Sequence, residues 1–269
     1  MTGGLLACPG LERLPSVARQ TLGASLMAYL VCAGAYALND YFDLPTDRVA
    51  KPSRPLASGA LRPAAALVLG VALLVAAVLV AAFEGATVVA FCLGWVTSLL
   101  AYSWKLKGYG LLGNVVVSGV ASSGFLLGGG VCGDFGAGVL PVAIAMTLHL
   151  GREIAKSTAD VRGDRAVGMR TLAVRIGERR ALVLSLWCII GVAVVSLLPF
   201  ILSVYGLGYF LTIAVGAYPI LGLGVCRIIV AGRAKESDGP AIAAAAGSVA
   251  GLLKLVMPVG LLAFFLEGV

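Results

Sequence analysis

Charge is scarce in this sequence. Only 12% of its residues are Asp, Glu, Lys or Arg, about half the share of an ordinary soluble domain. Histidine occurs once, at His149. No Ser/His/Asp triad, P-loop or G-x-G-x-x-G following a strand is present, which removes the commonest hydrolase and nucleotide-binding readings. The six cysteines (Cys8, Cys32, Cys92, Cys132, Cys188, Cys226) are scattered through apolar segments without a C-x-x-C pair. They read as small hydrophobes with no redox or zinc signal. The first fifteen residues lack a basic start followed by a clean apolar core, so no cleavable signal peptide is expected.

Apolar residues fill the space that charge leaves. They make up 60% of the chain, and the mean hydropathy is +1.01. They fall into eight runs, at about 17–38, 64–83, 86–103, 110–130, 138–157, 180–201, 206–231 and 241–266, each near the roughly 20 residues that cross a bilayer. The 36 glycines suit close packing of membrane helices. The expected fold is all-α, a multi-span transmembrane helical bundle forming a single domain over residues 1–269. The stretch 1–16 is too short and broken to span; it reads as an external tail or the end of a helix.

Most Lys and Arg residues lie in the connections 39–63, 104–109, 152–179 and 227–240, whereas the opposite connections hold Glu84, Asp134 and nothing basic. This alternation predicts a multi-pass protein of the cell membrane with its rich loops in the cytoplasm. The net charge of +7 is interleaved with carboxylates, which favours phosphate-bearing substrates and lipid headgroups over nucleic acid. The loops also repeat. D-L-P-T-D-R (Asp43 to Arg48) is followed by R-P-L-A, and D-V-R-G-D-R (Asp160 to Arg165) by R-T-L-A, four helices later. A pseudo-repeat of two four-helix halves with matching sites is expected.

Three polar constellations stand out. Asn39, Asp40, Asp43 and Asp47 form the first, with Asn39, Asp43 and Asp47 at spacings of four along one helical face. Pro45 disfavours helix at Leu44 and sets Asp47 on a new turn. The second holds Arg152, Glu153, Lys156, Asp160, Arg162, Asp164 and Arg165, where Asp160 and Asp164 mirror Asp43 and Asp47. Clustered oxygen ligands suit Mg²⁺, which is held by one or two carboxylates plus substrate phosphates; a solvated, salt-bridged loop is the plain alternative. The third constellation is Tyr102, Ser103, Lys105 and Lys107, able to bind phosphate oxygens or to serve only as topology markers. Arg48, Lys51, Arg54, Arg152 and Lys156 complete a cationic rim around the acidic centre, as a diphosphate site needs and a cation-coupled transporter does not. His149 and Lys254 lie inside apolar helices, either packed there or facing a cavity.

The strings N-D-Y-F-D-x-x-x-D-R with K-P-x-R-P-L-x-S-G (Asn39 to Gly59), Y-S-x-K-x-K (Tyr102 to Lys107) and R-E-I-x-K…D-V-x-G-D-R…G-x-x-T-L (Arg152 to Leu172) resemble the UbiA superfamily of intramembrane prenyltransferases. The resemblance implies a bundle of nine spans, in which two Asp-rich motifs bind Mg²⁺ and an isoprenyl diphosphate and a lateral tunnel takes the chain. Within that family the third string is most similar to archaeal geranylgeranylglycerol-phosphate geranylgeranyltransferases. This implies geranylgeranyl diphosphate as donor and a phosphorylated lipid alcohol as acceptor; an aromatic acceptor such as 4-hydroxybenzoate is the alternative. Two departures are evident. Ser157 stands where the family often has a carboxylate, for which Glu153 is a candidate substitute, and eight spans are counted rather than nine.

Overall fold

The computed structural model describes residues 14–233 and 239–267. Most of the expected tail over 1–16 lies outside them. Long helices follow from the hydropathy, because backbone polar groups in a bilayer must bond within their own segment. Helix α1 (Leu14–Phe42) leads into the short α2 (Leu44–Ala50), then α3 (Pro63–Glu84) and α4 (Ala86–Trp104). Helices α5 (Leu111–Ser122) and α6 (Gly124–Val131) together make one crossing, followed by α7 (Val139–Ala159) and the short α8 (Val161–Ala166) and α9 (Leu172–Ile176). Helices α10 (Glu178–Val195) and α11 (Leu198–Ile201) form the next crossing. After them come α12 (Leu207–Thr212), a π-helical turn over Ile213–Ala217, α13 (Tyr218–Gly232) and α14 (Gly239–Glu267).

Eight segments among the described residues are long and apolar enough to cross a membrane, and they coincide within a few residues with the eight expected runs. Their alternating direction gathers the ends of α1, α4 and α7 at one charged end of the bundle. The cysteine reading needs one correction. Cys132, at the opposite end, is disulfide-bonded, while Cys32, Cys92, Cys188 and Cys226 are free.

The two halves have separate cores. Met27, Val31 and Leu38 of α1 pack with Leu74, Ala77, Val88, Cys92 and Trp95 in the first. Ile144, Leu148, Ile189, Tyr209, Leu221, Val249 and Leu253 build the second. One offset, 117 residues, relates Asp43 to Asp160, Asp47 to Asp164 and Gly34 to Gly151. The paired glycines do the same work. A Cβ on Gly34 would lie 2.9 Å from the Gly70 carbonyl oxygen of α3, and one on Gly151 would lie 2.8 Å from Cys188 Cβ of α10. In each half the motif-bearing helix is drawn against its neighbour at a small residue, as membrane helix packing favours.

Candidate active site

The backbone almost continues through each Asp motif. Asp43 sits at the break between α1 and α2, yet its N–H donates to the Asn39 carbonyl and its own carbonyl accepts from Asp47 N–H, both at 2.8 Å. Pro45 falls in the first turn of α2, where its missing donor costs nothing. Asp160 breaks α7 from α8 in the same way, bonded back to Lys156 at 3.0 Å and forward to Asp164 at 3.1 Å. Asn39, Asp43 and Asp47 therefore keep a common face, and Asp160 and Asp164 keep theirs.

Both faces line one cleft at the charged end, enclosing about 140 Å³. Among the expected site residues, Asn39, Asp40, Asp43, Asp47, Asp160, Asp164, Lys51, Arg54, Tyr102, Lys107 and Lys156 border it. The ion pairs interlock across the chain. Lys107 Nζ lies 2.6 Å from Asp43, which also accepts from Asn39 Nδ2 at 2.9 Å. Arg54 reaches Asp47 at 2.7 Å and Asp40 at 3.4 Å. Lys51 spans the two halves to Asp160 at 2.9 Å. Burial alone would lower the Arg54 pKa, but its bond to Asp47 and the charges of Asp47, Asp40 and Asp43 turn the net shift upward. Burial pushes the Asp164 carboxyl above its ordinary value.

Four expected residues stand off the cleft. Arg48 and Lys105 point outward and are exposed. Each is one or two positions from a lining residue, and on a helix such neighbours do not share a face. Ser103 acts indirectly, its hydroxyl donating to Asn39 Oδ1 at 3.3 Å. Arg152 pairs with Glu153 beside the cleft. Glu153, the candidate replacement for the carboxylate missing at Ser157, is thereby engaged by Arg152 and, at 3.8 Å, by Lys156.

The cleft also contains residues that sequence reasoning passed over: Tyr36, Thr46, Asn114 and Thr171. Asn114 is buried, and its Nδ2 has no hydrogen-bond partner; Ser157 Oγ shares that condition, whereas the Thr171 hydroxyl lies beside the Asp164 carboxyl and favours its charged form. An orphaned buried polar atom costs about 1–3 kcal/mol. Two of them on the walls of one cleft mark a place made for a polar ligand. An amide inside the apolar string L-L-G-N-V-V-V was the available signal.

The donors fit a hard cation. They are all oxygen, brought from two facing segments as carboxylates and an amide. Among the described residues no three acidic, His or Cys side chains converge into a closed metal cage, so a bound Mg²⁺ would take its remaining ligands from substrate oxygens. Asn39, Asp40, Asp43, Asp47, Asp160 and Asp164 are the cleft residues that could hold it.

A second cavity, of about 240 Å³, lies deeper among the spans of the second half. Its walls include Phe125, Ile144, Leu148, Met257, Leu261 and Phe264, and Ile213 and Ala217 of the π-helical turn border it. Phe264 packs edge-on against Phe125 and stacks on Tyr209, with ring centroids 5.3 Å and 5.7 Å apart. Glu153 lines the cleft, and His149, one turn along α7, lines the apolar cavity. The polar and apolar spaces are thus neighbours on one helix.

Comparison with known proteins agrees with this fold. The model of the UbiA prenyltransferase family matches residues 1–238. A digeranylgeranylglyceryl phosphate synthase of Methanopyrus kandleri is 36% identical over 250 residues, covering 92% of this chain and 88% of its own. One from Halobacterium salinarum is 34% identical over 213 residues, covering 79% and 76%. A solved structure of a digeranylgeranylglyceryl phosphate synthase superposes with a TM-score of 0.72 at 26% identity, covering 99% of this chain and 90% of that one. A UbiA homolog from Archaeoglobus fulgidus bound to GPP and Mg²⁺ has a TM-score of 0.60 at 17% identity, covering 96% and 92%, and shares the fold.

Proposed function

The chain belongs to the UbiA prenyltransferase family, and from that premise we propose that it transfers a geranylgeranyl group from its diphosphate to the hydroxyl of geranylgeranylglyceryl phosphate. The charged end of the bundle is then the cytoplasmic face of the cell membrane. One observation carries the reading: a carboxylate-rich cleft rimmed by Lys51, Arg54 and Lys107 adjoins an apolar cavity one helical turn away. An ionic head and an isoprenoid tail on one molecule match that pair of spaces. The acceptor follows the relatives named as digeranylgeranylglyceryl phosphate synthases.

Lys51, Arg54 and Lys107 hold diphosphate oxygens and neutralise the charge that builds as the C1–O bond breaks; fixed cations aimed at a developing anion are worth most where water is excluded. The Asp43/Asp47 and Asp160/Asp164 pairs would hold Mg²⁺, which when bound would supply Lewis-acid stabilisation of the leaving group. Asn114 and Ser157 offer buried polar atoms to the same head group. The apolar walls around His149 and Leu148 shield the allylic cation from water. The departing diphosphate or one of the carboxylates lining the cleft takes the acceptor's proton.

The test is incubation of the purified protein in liposomes with Mg²⁺ and radiolabelled geranylgeranyl diphosphate, offering geranylgeranylglyceryl phosphate and 4-hydroxybenzoate separately. Label is expected in the ether lipid, and the transfer is expected to stop on chelation of the metal. Label appearing only in the aromatic acid overturns the proposed acceptor.

A further inference from the structure

His149, Arg152 and Lys156 follow i, i+3, i+7 spacing and share one face of α7. His149 lines the apolar cavity and Lys156 lines the cleft, so Arg152, which borders neither space itself, lies between them on that helix face. Helix α14 repeats the arrangement. Lys254, Met257 and Leu261 share a face by the same spacing, and the latter two line the apolar cavity. Seven residues before Lys254, a Cβ on Gly247 would touch Ala159 Cβ at 3.7 Å, beside Asp160. A Cβ on Gly151 would likewise lie 3.8 Å from Leu253. In these two antiparallel helices that register sets position 254 opposite position 152.

The charges at this junction are not balanced. Arg152 pairs with Glu153, but its buried Nε has no partner. Lys254 is exposed and takes part in none of the ion pairs or hydrogen bonds formed among the described residues. Its Cα is about 22 Å along the axis from Gly239 and about 18 Å from Leu266. A four-carbon stem reaches neither end from there, and an unpaired charge at such depth is costly unless it faces a polar cavity. Arg152, Lys156 and Lys254 set three cations against the one carboxylate of Glu153. The excess matches a phosphate monoester, which carries about −1.5 to −2 at neutral pH. The position equivalent to Lys156 in the first half is Asn39, so this basic character belongs to the second half alone.

We propose that Arg152, Lys156 and Lys254 form a second anion site, at the junction of cleft and apolar cavity, that binds the phosphate monoester of the acceptor lipid. Held there, the phosphate turns the neighbouring hydroxyl towards C1 of the donor. The site rests on the phosphorylated acceptor assigned above.

The test uses the full chain in phosphatidylcholine nanodiscs, comparing wild type with Lys254→Gln and Lys254→Arg. For Lys254→Gln the KM for geranylgeranylglyceryl phosphate is expected to rise about tenfold or more, the scale of one lost contact to a charged group. The KM for geranylgeranyl diphosphate should stay within about twofold, which also reports that the variant is folded. With unphosphorylated geranylgeranylglycerol the two enzymes should behave alike, and Lys254→Arg should restore most of the affinity. A Lys254→Gln enzyme with the wild-type acceptor KM overturns the site and leaves the proposed reaction standing. An equal loss with the unphosphorylated alcohol also overturns it. An effect seen only when phosphatidylglycerol is added assigns Lys254 to bulk lipid headgroups instead. If the wild type transfers label to the aromatic acid alone, the proposed reaction falls and this site with it.

Discussion

The two Asp motifs share a backbone path and differ in what surrounds it. In the first, Asn39, Asp40, Asp43 and Asp47 sit together, and Lys107 and Arg54 bind them from other segments. In the second, the equivalents of Asn39 and Asp40 are Lys156 and Ser157, leaving Asp160 and Asp164 as the carboxylates of the pair. Asp43 and Asp47 keep side-chain exposures of 11% and 9%, whereas Asp160 keeps 33%. The duplicated scaffold thus fixes where carboxylates are presented, and substitution at two positions divides the labour. One half is dense in metal-type ligands; the other trades a carboxylate and an amide for a hydroxyl and a cation.

Asp43→Asn should have the largest effect. It removes the negative charge that Lys107 and Asn39 both bind, and kcat for prenyl transfer should fall about 10³-fold, the upper range for losing one preorganised electrostatic group. Asp160→Asn removes a more exposed carboxylate with one cationic partner, so a fall of about 10² is expected. Equal losses in steady-state kinetics would break the asymmetry between the halves. Lys51→Met severs the ion pair that ties them, which joins groups 37% and 33% exposed. Such a pair contributes about 0–1 kcal/mol to stability, so thermal unfolding should barely move. The KM for the prenyl diphosphate should nevertheless rise about tenfold, because a cation facing the phosphates is lost. A large drop in melting temperature with an unchanged KM would make Lys51 a structural strut.

The spans were legible in the sequence because hydropathy and charge alternation report the same topology independently. The spacing of Asn39, Asp43 and Asp47 is legible as one helical face, but the expected break at Pro45 is not met: Leu44 is helical, Pro45 falls in the first turn of α2, and Asp47 keeps the phase of Asn39 and Asp43. What joins the motifs was not legible. Lys107 meets Asp43 across 64 positions, and no local spacing encodes that approach. Asn114 was hidden inside an apolar run, where burial rather than neighbours gives it meaning. The charges of Arg48 and Lys105 beside the motifs suggest ligands, but a place in the sequence does not give the direction of a side chain, and both are exposed.

The smallest effect comes from making the second motif resemble the first. Ser157 occupies the place that Asp40 holds in the other half, its Oγ buried without a partner on the wall of the cleft. Ser157→Asp adds a carboxylate one turn before Asp160, close to Lys156. If the second half binds metal weakly because it is short of carboxylates, the Mg²⁺ concentration giving half-maximal activity should fall about threefold, less than 1 kcal/mol. Maximal turnover should change little, and Ser157→Ala should leave the Mg²⁺ dependence where it was. Burying a new charge works in the opposite direction, so the sign of the shift is informative. A rise in the Mg²⁺ requirement would show that the hydroxyl serves the substrate's polar head and that the metal is held chiefly by the first motif.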